Sequence, residues 1–145
     1  MTTRATQIRG YHDLEVWQRA MDLVVESYQI TKGFPTDERY GLTAQLRRAA
    51  VSIPSNIAEG RGRRGLAGFL YHLSIANGSL MELETQLRLG VRLSYLSEQQ
   101  ANNVFRRTAE VGRLLAGLTR ALRRRRGVPP VPDTRYPIPG GRSTE

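Results

Sequence analysis

Arginine is the residue type with most chemistry to offer in this chain, and it comes in clusters. Arg47-Arg48, Arg61 with Arg63-Arg64, Arg106-Arg107 and the run Arg123-Arg124-Arg125-Arg126 are the main ones. A guanidinium is planar, always charged and carries five donors in a fixed fork, which suits it to bidentate contacts with phosphate. The overall balance agrees: 22 basic against 13 acidic residues give a formal charge of +9, and Lys32 is the only lysine. Such a balance favours nucleic acid or an anionic surface as partner.

Catalytic chemistry has much less to work with. Cysteine is absent, which excludes disulfides, thiol nucleophiles and cysteine metal sites. The two histidines, His12 and His72, do not complete the Glu-x-x-His pattern of di-metal bundles, since Arg9 and Phe69 stand three residues before them. The glycine-rich GRGRRG from Gly60 to Gly65 lacks the preceding strand that a phosphate loop needs. Asn56 and Glu59 are conceivable polar catalysts, but they read more simply as structural: Glu59 paired with a nearby arginine, Asn56 bonding backbone around Pro54. No catalytic residue, metal or cofactor is expected, and the chain reads as non-enzymatic.

The elements that must carry these arginines are helices. At 145 residues the chain suits one domain with one core. Asp13 is a plausible cap for a first helix with Trp17, Met21, Val24 and Tyr28 at helical spacing, closed by Gly33. Phe34-Pro35 turns the chain, and Thr36 caps a second helix with Asp37 and Glu38 in its first turn, ending around Glu59-Gly60. A third helix starts between Gly65 and Phe69 and carries Phe69, Leu73, Ala76, Leu80, Leu83 and Leu87. Ser97 and Gln100 form a capping box for a fourth, with Ala101, Val104, Thr108, Val111, Leu115, Leu118 and Leu122. Short connections and a 3.5-residue repeat predict an all-α, antiparallel, up-down-up-down four-helix bundle with left-handed packing. The bundle is expected over residues 13–126, after a flexible lead at 1–12 and before a Pro/Gly-rich disordered tail at 127–145. Gly78-Ser79 and Gly112 with Ala116 are small enough to let another backbone approach, inside the bundle or between subunits. No apolar run approaches the roughly 20 residues a membrane span requires, nor is there a signal-like N-terminus, so a cytoplasmic protein is expected.

One stretch departs from ordinary helix design. In YGLTAQLRRAAVSIPSNIAEGRGRR, Tyr40 to Arg64, the apolar positions Leu42, Leu46, Ala49/Ala50, Ile53 and Ile57 are helical, yet Pro54 is expected to interrupt them at a cost of about 3 kcal/mol. Ser52, Ser55 and Asn56 are placed to satisfy the freed backbone groups. With LEVWQRAMDLVVESY and FPTDERYGL before it and IANGSLMELETQL after it, the stretch resembles a bacterial family of four-helix-bundle proteins encoded inside intervening sequences of large-subunit ribosomal RNA genes. The likeness covers roughly residues 11 to 122 and implies the bundle fold, homopentamers and a link to nucleic acid, without an assigned activity. A related group, the accessory proteins of diversity-generating retroelements, implies a reverse transcriptase and RNA as partners. The chain departs from the family at Gly65-Leu66-Ala67-Gly68, where relatives carry a Ser or Thr cap followed by Glu.

On an up-down-up-down bundle the connection between the second and third helices, the end of the fourth and the N-terminus share one end. That end would gather Arg4, Arg9, Arg61, Arg63, Arg64 and Arg123 to Arg126, against Glu59 and Asp13. With Arg47-Arg48 and Arg106-Arg107 as extensions, such a pole would bind phosphate backbone electrostatically. Aromatic residues are not interleaved with the arginines, so duplex or structured RNA is expected over a single-strand stacking platform. The alternatives are that these cations only complement helix C-termini and stay solvated, or that the bundle is a protein-interaction scaffold whose charge serves solubility.

Overall fold

The computed structural model describes residues 10–126, and among them it places four α-helices and no strand: α1 (Glu15–Thr31), α2 (Leu42–Gly62), α3 (Leu66–Arg92) and α4 (Glu98–Arg126). Short 3-10 turns at Tyr11–Asp13 and Thr36–Glu38 precede α1 and α2. Arg4, Arg9, the tail at 127–145 and the side chain of Arg126 lie outside the described residues.

The helices pack in a ring, α1 and α3 each lying against both α2 and α4. Across α2 and α3, Ser52 meets Ser79 while Asn56 meets His72, so the partners step in opposite directions along the two helices. Leu80 against Gly112 and Arg88 against Phe105 step the same way across α3 and α4. The centre is filled by Leu23, Leu46, Ile53, Ile57, Leu73, Leu83, Leu87, Val104, Val111 and Leu115, all almost fully buried. Each such side chain contributes about 1.5–3 kcal/mol relative to exposure.

α3 and α4 follow their sequence pattern closely. Phe69, Leu73, Ala76, Leu80, Leu83 and Leu87 are all buried, as are Val104, Thr108, Val111, Leu115 and Leu122. The capping box before α4 forms in both directions, Ser97 N–H donating to Gln100 Oε1 at 2.9 Å and Gln100 N–H to Ser97 Oγ at 3.1 Å.

α1 is rotated by one residue from the expected stripe. Val16, Ala20, Leu23, Ser27 and Ile30 face the core, whereas Met21 is 40% and Tyr28 39% exposed. Both stripes have the same four-three spacing, and the buried one is made of smaller residues, which let α1 approach its neighbours. Its hydroxyls pay no desolvation penalty because they bond carbonyls one turn back: Ser27 Oγ donates to Leu23 O at 2.7 Å and Thr31 Oγ1 to Ser27 O at 2.8 Å. Asp13 is not the cap of α1 either. It belongs to the 3-10 turn, and Leu14 takes the cap position with no side-chain bond. Just before α1, the Tyr11 ring packs edge-on against Trp17, 5.3 Å between centroids.

In α2 two expectations are corrected. Thr36 is not a cap: it is the first residue of the 3-10 turn, Pro35 holds the cap position, and the helix itself begins at Leu42 after Gly41. Pro54 does not interrupt it, since α2 runs unbroken through the buried proline to Gly62. The flanking turn is tied down by Asn56 Nδ2, which donates to Ser52 O at 2.8 Å and Ser52 Oγ at 3.0 Å, while Ser52 Oγ shares a 2.8 Å bond with Ser79 Oγ of α3. Asn56 thus bonds the carbonyl of Ser52 rather than the one freed at Ala50. Of the expected small-residue contacts, Gly112 meets Leu80 within the bundle and Gly78 faces open space.

Candidate nucleic-acid interface

The last two turns of α2 rest on the first two turns of α3 because Gly60 has no side chain. A Cβ there would stand 2.6 Å from His72 Cβ and 3.1 Å from the Phe69 ring. Directly above this contact a polar seam closes the helix pair. Asn56 Oδ1 lies 3.1 Å from His72 Nδ1, a bond that requires the proton on Nδ1, because a carbonyl oxygen only accepts. Glu59 Oε2 is 3.9 Å from the same nitrogen, and Glu59 Oε1 takes a 2.8 Å charge-assisted bond from Arg63. Glu59 and Asn56 thus contact the first turns of α3 and Arg63 at the end of α2. The remaining donors of Arg63 stay available, its side chain being about half exposed.

The connection from α2 to α3 is a single sharp turn. Gly65 takes φ 98°, a left-handed value that a side chain would strain, and α3 then starts without a side-chain cap. The small Gly68 in the first turn of α3 leaves room for the Arg63 stem, since a Cβ at 68 would stand 3.1 Å from Arg63 Cβ. The uncapped GLAG start thus holds an arginine against α3.

This end of the bundle carries a cavity of about 540 Å³. Its charged rim is made by Arg61 and Arg63, from the end of α2, and by Arg125, from the last turn of α4. Its floor is apolar, made by Leu14, Leu66, Phe69, Leu118 and Leu122. Three of the arginines singled out from sequence are thus brought together over 60 residues of chain. Arg64 and Arg124 are exposed nearby in sequence, and Arg123 is half-buried, none of the three lining the cavity. The floor was missed by sequence reading because its residues come from three different segments. Its signal was present in one form: Phe69 opens the α3 stripe and Leu118 and Leu122 close the α4 stripe.

The other arginines go elsewhere. Arg47 Nε donates to Thr31 Oγ1 at 2.8 Å and its guanidinium lies 4.6 Å from the centre of the Tyr28 ring. Thr31 is at the far end of α1 from Leu14, about 25 Å away along the helix. Arg107 forms an ion pair with Glu26 and reaches Asp22 at 4.0 Å. Arg48 and Arg106 are exposed on α2 and α4. The sequence clusters Arg47-Arg48 and Arg106-Arg107 therefore each split into one residue held against α1 and one in solvent, and none lines the cavity.

A second cleft, of about 310 Å³, runs between α1 and α2 past Tyr11, Trp17, Met21, Val51 and Pro54. Among the described residues, no cluster of three or more metal-ligating side chains occurs, and no helix is long and apolar enough to cross a membrane.

No curated protein matches this chain. Among solved structures, it resembles a protein with unknown function from the S23 ribosomal protein family of Bacteroides thetaiotaomicron, with a TM-score of 0.68. The identity is 24%, over 72% of this chain and 95% of that one, a likeness that speaks to the fold. Residues 12–117, from the turn before α1 to the sixth turn of α4, match the model of the 23S rRNA-intervening sequence proteins, and the chain belongs to that family.

Proposed function

We propose that this protein is a non-enzymatic, self-associating RNA-binding protein of the cytoplasm that holds phosphates at its arginine-rimmed end. The observation that carries this reading is the cavity where Arg61, Arg63 and Arg125 converge from separate elements. Arginines brought together from distant parts of a chain concentrate positive potential, and Arg64, Arg123 and Arg124 add to it over a wider area. Binding of this kind is driven by counterion release, depends steeply on salt and discriminates weakly by sequence. On a homopentamer with the up-down, left-handed bundle as its unit, each rim would be repeated five times, and weak phosphate contacts would gain through multivalency. A reverse transcriptase, as in the related retroelement systems, is one partner that would bring RNA to such a ring.

Titrating labelled RNA hairpins and DNA duplexes at several salt concentrations tests the reading. Affinity is expected to fall steeply with salt, with RNA bound more tightly than DNA. Absence of binding at low salt would remove the proposal. Light scattering is expected to give a pentamer mass, which a monomer mass would contradict.

A second reading, a protein-interaction scaffold, is favoured by the α1–α2 cleft, where Met21 and Val51 are each at least 39% exposed. The two readings separate cleanly, because substitutions in this cleft would alter assembly or protein capture while leaving RNA affinity per subunit unchanged.

A further inference from the structure

The arginine-rimmed end is not a flat basic surface, and its shape narrows the ligand. A phosphate backbone lying across it would use the rim and leave the floor of Leu66, Phe69 and Leu118 empty and wet. An apolar peptide would fill the floor and gain nothing from Arg61, Arg63 and Arg125. A nucleotide uses both parts. Its base is a flat, largely apolar plate that stacks on guanidinium planes and packs on aliphatic or aromatic side chains, while its phosphates sit one bond-length chain away at the height of the rim.

The dimensions agree. A volume of about 540 Å³ lies within the roughly 300–1,000 Å³ typical of small-molecule sites. Gly60 and Gly65 also line the cavity, so part of its wall is bare backbone.

We infer that the cavity receives one unpaired nucleobase while Arg61, Arg63 and Arg125 hold the flanking phosphates, so the favoured ligand is RNA with single-stranded or bulged positions rather than continuous duplex. This rests on the RNA-binding reading and revises its preferred form. Paired bases are stacked inside a helix and cannot reach the floor; an unpaired one is free to do so.

The test compares three labelled RNAs at one salt concentration, using the full chain: a short single strand, the same strand with abasic residues at its central positions, and a blunt duplex. The abasic strand has the same phosphates, so it isolates the base. The intact strand is expected to bind at least tenfold more tightly than the abasic strand and than the duplex per site. Ala121→Leu, on an exposed position of α4 that lines the cavity, is expected to reduce that preference to about twofold with the melting temperature unchanged. Equal affinity for the intact and abasic strands, with both showing steep salt dependence, would overturn the inference and leave the electrostatic reading standing. No binding of any RNA would remove both. Capture by phosphatidylglycerol vesicles in the absence of RNA binding would also remove both and assign the cavity to an acyl chain.

Discussion

Two arginine-bearing regions of this bundle differ in what the surrounding helices do to the same side chain. At the α1–α2 and α1–α4 seams, Arg47 and Arg107 are drawn onto α1, the first by Thr31 and the Tyr28 ring, the second by Glu26 and Asp22. Arg19 joins them, 3.1 Å from Glu110. Beside the α2–α3 connection, Arg61, Arg63 and Arg125 line a cavity, and Glu59 takes a charge-assisted bond from Arg63, whose side chain stays about half exposed. A formal charge of +9 is therefore divided between helix–helix seams and the lining of a cavity. Charge on the seams stabilises the bundle, whereas charge beside an apolar hollow stands where a ligand would meet it.

Breaking each region separately should give opposite outcomes. The largest effect is expected from Arg61→Gln, Arg63→Gln and Arg125→Gln combined, which should weaken RNA binding about 100-fold, or about 2.8 kcal/mol, in fluorescence anisotropy with little change in melting temperature. Gly60→Ala should destabilise the fold by about 1–3 kcal/mol in urea unfolding, because its methyl must displace His72 or Phe69 beneath the cavity. Arg107→Ala should cost about 1–2 kcal/mol of stability, since the Glu26 carboxylate, only 18% exposed, loses its partner. The contact is an ion pair rather than a well-aligned hydrogen bond, which keeps the expected loss below that of a fully buried pair. Arg47→Gln should change RNA affinity by less than about twofold, the smallest effect, because its guanidinium is already held by α1.

How much of this was legible in the sequence depended on whether a feature is local. The stripes of α3 and α4 and the Ser97–Gln100 capping box are local patterns, and the structure follows them. In α1 the pattern was ambiguous: the larger Trp17, Met21, Val24 and Tyr28 and the smaller Val16, Ala20, Leu23 and Ser27 have identical spacing one residue apart. Local hydrophobicity favours the first set, but close approach of neighbouring helices buries the second. Pro54 shows the same override, since the packing of α2 on both neighbours carries the helix through a residue that would end it in isolation. The arginine clusters were visible, but their division between seams and cavity was not. It depends on which face of α1 each one meets, and α1 was the helix whose face was misassigned.

The most direct test of the contrast between the two regions is the salt dependence of RNA binding. The slope of log affinity against log salt would be measured for the native chain, for the Arg61/Arg63/Arg125 glutamine variant and for an Arg47/Arg107 glutamine variant. Each phosphate contact contributes about 0.7–0.9 to that slope. A ligand-binding end rimmed by three arginines predicts a slope shallower by about 2–3 in the first variant and unchanged in the second. Equal slopes in all three proteins, or the larger change in the Arg47/Arg107 variant, would contradict it.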